Sequence, residues 1–288
     1  MTRILPIIIL LLALAAGIGL GYRFAAGRRD EARPRAVLAV LDPRIGGGVY
    51  AGCDDGQHFL VDPGPAADAE QLVSWLRESG IEDVTLILTN PTARRTGAVD
   101  TIAKSVRVRR ILRAQTGNDD EWASQLSAAR QRKVPEIGLK GGDRVILTKS
   151  TSLHVFSPPE EPLKATSDVT EENSLIVQMV MGRTRFLLMS DAGAIAESYL
   201  MRSGAYLMSN VLVIGRYGAL GATSLELLAA VRPQDIVVPG SSAAPNADRT
   251  VLRRIGPAAT GAELHRADMN GTVQFATDGF SVRSISGH

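Results

Sequence analysis

The sequence predicts a layered α/β body carried behind an amino-terminal membrane-spanning helix. Three observations point there. Of its 288 residues 45% are apolar and 22% charged, and the mean hydropathy is close to zero. That composition fits one large globular domain or two small ones and excludes a disordered, collagenous or multi-pass membrane chain. Ile4 to Leu20 is an uncharged apolar run. Beyond residue 35, short apolar runs alternate with amphipathic stretches, the pattern of strands interleaved with helices.

The amino-terminal run comes first. As a helix its 17 residues rise roughly 25 Å, just enough to cross a bilayer with Tyr22 as an interfacial anchor. Ala13-Leu14-Ala15 has the small-x-small form of a signal-peptide cleavage site, but apolar residues continue past it to Leu20, which favours an uncleaved anchor. Five arginines come after the run and Arg3 precedes it. The positive-inside rule therefore favours a cytoplasmic body, whereas amino-terminal apolar segments more often export the chain behind them, so the sequence leaves the membrane side open. The expected division is a transmembrane anchor or signal segment over 1–22, an Arg-rich juxtamembrane linker over 23–35 and one domain over 36–288.

In that domain the spacing predicts strands at 36–41, 59–61, 84–88, 106–112, 145–147, 153–156, 175–180, 186–189, 211–214, 236–238 and 272–275. Helices are predicted at 67–79, 119–132, 194–203, 224–231 and 249–255. The first of these puts Ala69, Leu72, Val73 and Leu76 on one face and has Gly80 as its stop. No internal repeat is visible in the residues.

Charge and composition remove several function classes. Lys and Arg total 32 against 30 Asp and Glu, a net charge of +2. Residues 1 to 35 alone carry +4, so the body is slightly acidic and has no global field for nucleic acid. One cysteine, Cys53, excludes an intrachain disulfide and a Cys-based zinc cluster. Four scattered histidines, His58, His154, His265 and His288, offer little to a metal, and none has a Ser or Cys partner in a recognisable nucleophile motif. Gly46-Gly47-Gly48 lacks the Lys-Ser or Lys-Thr of a phosphate loop and reads as a structural turn. Glu171-Glu172 precede a strand and read as loop caps. Thr92 to Arg113 is locally +6, able to touch phosphate or lipid head groups, though a partly stranded segment with outward arginines reads first as a solvated face.

The strand ends carry the remaining signal. Phe59-Leu60-Val61 runs into Asp62-Pro63-Gly64-Pro65, and Val84 to Thr89 runs into Asn90-Pro91-Thr92-Ala93-Arg94-Arg95-Thr96-Gly97-Ala98. Phe186 to Met189 runs into Ser190-Asp191, and Val211 to Ile214 into Gly215-Arg216-Tyr217-Gly218. With Asn173 to Val177 and Asp268 to Val273, these segments resemble the metallo-β-lactamase superfamily. In order and spacing they are most similar to its branch in the carboxy-terminal domain of the DNA-uptake channel protein ComEC. The likeness covers about residues 36 to 285 and implies an αββα sandwich whose members usually bind two metal ions through a Thr-His-x-His-x-Asp-His loop. Here that loop reads Thr89-Asn90-Pro91-Thr92-Ala93-Arg94-Arg95, with Asn90, Thr92, Arg94 and Arg95 at the ligand positions. Where the branch has Gly-His-His-Gly, this chain has Gly215-Arg216-Tyr217-Gly218. Asp191 matches the family's bridging carboxylate and Asp62 its structural Asp.

A hydrolytic zinc site needs three or four converging His, Asp or Cys ligands to lower the pKa of a bound water. Asp191 with neutral Asn90 and Thr92 is too few, and guanidiniums repel a dication. The expectation is therefore a membrane-anchored, catalytically inactive domain of this class with no metal cofactor. Three readings of the arginines stay open: neutralising a carboxylate left behind by lost metal, a cationic pocket of Arg94, Arg95 and Arg216 for an anion such as phosphate, nucleic acid or a lipid head group, or solvent-exposed side chains with no role. Two other functions also stay open: a divergent hydrolase using Asp62, Asp191 and a histidine from elsewhere, and a structural partner of another membrane protein.

Overall fold

Short strands, those in the middle of each sheet buried nearly throughout, build two sheets. The computed structural model describes residues 35–115, 120–164, 168–244 and 246–285. The expected membrane segment Ile4 to Leu20 and the linker 23–35, Arg35 apart, lie outside the described residues. Among the described residues no helix is long and apolar enough to cross a membrane.

The first sheet contains β1 (Ala36–Val40), β2 (Val49–Cys53), β3 (His58–Val61), β4 (Asp83–Leu88), β5 (Arg107–Ala114) and β6 (Glu136–Leu139). The second contains β7 (Arg144–Ile146), β8 (Thr151–Ser157), β9 (Ile176–Met181), β10 (Thr184–Leu188), β11 (Val211–Val213), β12 (Asp235–Val238) and β13 (Glu263–Arg266). The chain then returns to the first sheet with β14 (Val273–Thr277) and β15 (Val282–Ser284), giving the orders β15-β14-β1-β2-β3-β4-β5-β6 and β13-β12-β11-β10-β9-β8-β7. Each half runs an antiparallel meander into parallel strands: β1 to β3 and then β3 to β6 in one, β7 to β10 and then β10 to β13 in the other. The two halves thus repeat a topology that their residues do not show as a sequence repeat.

Both faces of the central strands are dry. Phe186 and Leu188 of β10 join the core that the two sheets share, whereas Leu187 and Met189 pack with Ala196, Leu200, Leu227, Val231, Val251 and Ile255. Those last residues belong to the helices Ala194–Arg202, Leu225–Val231 and Arg249–Ile255, which cover the second sheet. Leu72 and Leu76 of the helix Ala69–Glu78, with Val99 and Ile102 of Val99–Ser105, do the same for the first. The result is an α/β sandwich of two mixed sheets.

Several expected boundaries shift. The helix expected over 119–132 is broken into Asp120–Ala123 and Ser127–Gln131, because Leu126 leaves the helical region at φ −115°. The strand β2 and the edge strands β6, β13 and β15 fall outside the strands expected from spacing. The glycine turn has a packing reason: Gly47 sits at φ +65° and a Cβ there would collide with the Gly240 carbonyl.

Candidate functional site

Parallel strands in both sheets end at one rim, and each strand end delivers a residue. Asp62 follows β3, Thr89 and Asn90 follow β4, Ser190 and Asp191 follow β10, and Arg216 follows β11. Four non-glycine residues there hold left-handed backbone, Asp62 (φ 49°), Ser190 (φ 52°), Arg216 (φ 50°) and Tyr217 (φ 54°). Such conformations cost free energy and persist where surrounding structure enforces them, as at functional sites.

Asp191 is completely buried. Arg95 grips it with two bonds, Nε to Oδ2 at 3.0 Å and NH2 to Oδ1 at 2.5 Å. Asn90 Nδ2 adds a bond at 3.1 Å and Arg94 NH2 another at 3.3 Å, both to Oδ2. Burial opposes ionisation, but Arg95, Arg94 and Asn90 more than offset it and hold the Asp191 carboxyl well below the usual carboxylate range. The same Arg95 guanidinium lies 3.7 Å from Asp62 and 4.1 Å above the Tyr217 ring centre. Desolvation acts on the buried Tyr217 hydroxyl too and raises it to about 12.

Asp62 serves as a clasp. It accepts from the Thr89 backbone N–H at 2.8 Å and the Thr89 hydroxyl at 2.5 Å, and that hydroxyl also meets the Ser190 hydroxyl across the sheets. Burial pushes its pKa up to about 6 despite Arg95 and the Thr89 bonds. Asn90 is likewise spent on structure: its Nδ2 donates to Ser174 at 2.9 Å, and its Oδ1 accepts from the Thr92 backbone N–H at 3.1 Å and hydroxyl at 2.6 Å.

Arg216 takes a different course. It pairs with Asp168 at 2.7 Å and stands 3.7 Å from Glu172, away from Asp191. Glu172 is the residue that sequence reasoning missed. Read there as a loop cap, it is buried and accepts from the backbone N–H groups of Gly193 at 3.3 Å and Ala196 at 2.8 Å, at the start of the helix Ala194–Arg202. Arg94 completes the set, 3.7 Å from Glu171. Three guanidiniums therefore meet five carboxylates, Asp62, Asp168, Glu171, Glu172 and Asp191, and the net-positive pocket expected from Arg94, Arg95 and Arg216 alone is offset by acids from the 168–172 segment. Beside Arg95 the interior leaves a cavity of about 20 Å³, room for about one water.

These residues do not fit a metal ion. Both oxygens of Asp191 are engaged by guanidinium and amide N–H groups, and the Arg95 guanidinium contacts both Asp191 and Asp62. A zinc site would need donor atoms at about 2.0–2.3 Å, and protonated arginines supply none. Among the described residues, Asp235, Glu263 and His265 do bring potential ligand atoms within 4.8 Å of one another. They lie on β12 and β13, where His265 Nε2 is 2.8 Å from Asp235, and they bring no ligand to Asp191.

The sequence matches no model of a known protein family, and no curated protein is significantly similar to it. Solved structures are similar in fold. A mutant of the β-hydroxylase CmlA superposes with a TM-score of 0.59 at 13% identity, covering 85% of this chain and 54% of its own, so this chain spans about half of that protein's length. A diphosphatase of the PhnP family gives 0.50 at 12% identity over 83% of this chain and 97% of its own. Zinc-bound PqqB from Methylobacterium extorquens gives 0.51 at 11% identity over 82% and 99%. At such identities the likeness is one of architecture. The described residues of this chain carry a metallo-β-lactamase-like fold.

Proposed function

We propose that this chain is a membrane-anchored, non-hydrolytic domain of metallo-β-lactamase-like fold that works by binding an anionic ligand or a protein partner. One observation supports the reading: Asp191, which the resemblance matches to the family's bridging carboxylate, is buried and bonded on both oxygens by Arg95, so neither oxygen is free for a metal. Ile4 to Leu20 supports the anchor, and the likeness of the strand-end sequences to the ComEC carboxy-terminal domain supports descent from that branch. The acids facing Arg94 and Arg216 favour charge repair at this rim over anion capture.

The test is metal content and turnover together. Full-length protein purified without chelator should contain less than about 0.1 equivalent of zinc, manganese or iron. It should also show no β-lactamase, phosphodiesterase or nuclease turnover above an Asp191→Ala control when those metals are supplied. One or two tightly held ions per chain, or metal-dependent turnover that Asp191→Ala abolishes, would instead establish the divergent hydrolase.

A further inference from the structure

At the opposite end of the second sheet, three other arginines face a cavity with no carboxylate in its lining. The cavity measures about 280 Å³ and is lined chiefly by Arg183, Arg185, Tyr206, Ser209, Asn210 and Arg232. Arg183 sits in the turn before β10 and Arg185 on the strand itself, and both line the cavity, the Arg183 guanidinium also lying 5.5 Å from the Phe280 ring centre. Arg232 closes the helix Leu225–Val231 in left-handed backbone. Tyr206, more than half exposed, belongs to the connection between the helix Ala194–Arg202 and β11, and the Arg185 guanidinium lies 5.3 Å from its ring centre.

Among the described residues none of these three arginines has an ion pair. Their described bonds are weak ones to backbone: Arg185 NH1 to the Arg183 carbonyl at 3.2 Å and Arg232 Nε to the Ala229 carbonyl at 3.2 Å. Arg185 Nε is buried with no hydrogen-bond partner. The carboxylate next in sequence, Asp235, is held by His265 at 2.8 Å, while Ser209 and Asn210 are fixed by Gln178 at 3.0 Å and by the Arg185 backbone N–H at 2.9 Å. Ser209 and Asn210 are thus held in place, and every charged side chain in the lining is a guanidinium. A concave site lined by one sign of charge concentrates ions of the other.

We propose that this cavity binds the phosphate group of a phosphorylated ligand, held by the Arg183 and Arg185 forks and the Arg232 charge. Guanidinium forks match phosphate oxygens in pairs, which makes these the strong kind of hydrogen bond. The site is independent of the Asp191 rim and of whether that rim is catalytic. Either a soluble phosphate compound or a phospholipid head group presents this chemistry.

Calorimetric titration of the full-length chain in neutral detergent at low salt tests it, with pyrophosphate in one arm and dihexanoyl phosphatidic acid in the other. Either compound should bind wild type, the arm that binds more tightly identifying the source. Affinity should fall about tenfold or more in Arg183→Gln/Arg185→Gln. Because Arg185 is partly buried, Arg183→Gln and Arg232→Gln, both at exposed positions, are measured singly and should each weaken binding without moving the urea midpoint. No binding by wild type in either arm overturns the proposal, as does affinity unchanged in all three variants. Loss confined to Arg94→Gln/Arg216→Gln overturns it too and returns the anion to the rim.

Discussion

Arg95 and Asp191 are worth most to each other where neither can reach water. Removing one partner of a buried pair leaves the other charge uncompensated, which typically costs about 3–5 kcal/mol. Asp191→Ala should therefore lower the free energy of unfolding in urea by that order, and an unchanged value would mean that the pair contributes nothing to the fold. The two carboxylates on Arg95 answer oppositely to pH. Asp191, with its folded pKa depressed, contributes stability that is present above about pH 4 and lost as pH falls further. Asp62 is raised, to about 6, so its contribution is whole below about pH 4 and is lost as pH rises through about 6. Between pH 4 and 7, wild type should lose on the order of 1–3 kcal/mol relative to Asp62→Asn. Urea titrations at four or five pH values read this difference directly, and parallel pH profiles would contradict it.

At the scale of elements, the 168–172 segment links loop, helix and strand end. Glu172 offers its carboxylate to the first turn of the helix Ala194–Arg202 and lies beside Arg216. Asp168, 44% exposed in its side chain, binds the same arginine from solvent. Glu172→Ala should cost about 1–3 kcal/mol, since it leaves two backbone donors and a guanidinium short of an acceptor. Asp168→Ala should cost less than about 1 kcal/mol, as exposed pairs do. Chemical denaturation of the two variants side by side checks the ordering, and equal losses would mean that Glu172 is no more than a surface charge.

Across the whole molecule, the two sheets are fastened by residues distant in sequence. Phe275 of β14 is fully buried and meets Phe186 of β10 edge to face, with ring centres 6.5 Å apart. β14 belongs to the first sheet although it follows the whole of the second. Phe275→Ala should cost about 3–5 kcal/mol, most of it at the contact between sheets. The check is a single cooperative unfolding transition at lower denaturant, whereas a variant that separates into two transitions would show that the halves fold independently.

The residues themselves settled the interior strands and the amphipathic helices, because burial on one or both faces leaves a local apolar pattern. Arg249–Ile255 has the bounds that its spacing predicts, and β4, β10 and β11 lie where Val84 to Leu88, Phe186 to Met189 and Val211 to Ile214 place them. Edge strands such as β13, Glu-Leu-His-Arg, carry no such pattern, since one side faces solvent and their identity comes from the neighbour they pair with. β2 was hidden for a related reason: Ala51 and Gly52 are small, and pairing on both sides, not hydrophobicity, makes them a strand. The helix Val99–Ser105 was masked by the basic residues around it, which dominate a charge count but leave Val99, Ile102 and Ala103 free to be buried. At the rim, the crowding of arginines at the strand ends was legible because it depends only on residue type. Which acid each arginine meets was decided by tertiary structure alone. Arg95 meets Asp191 across 96 residues of chain, while the left-handed turn at Arg216 carries that side chain to Asp168 and Glu172 instead. Electrostatic partnership depends on distance in space, and the fold sets that distance.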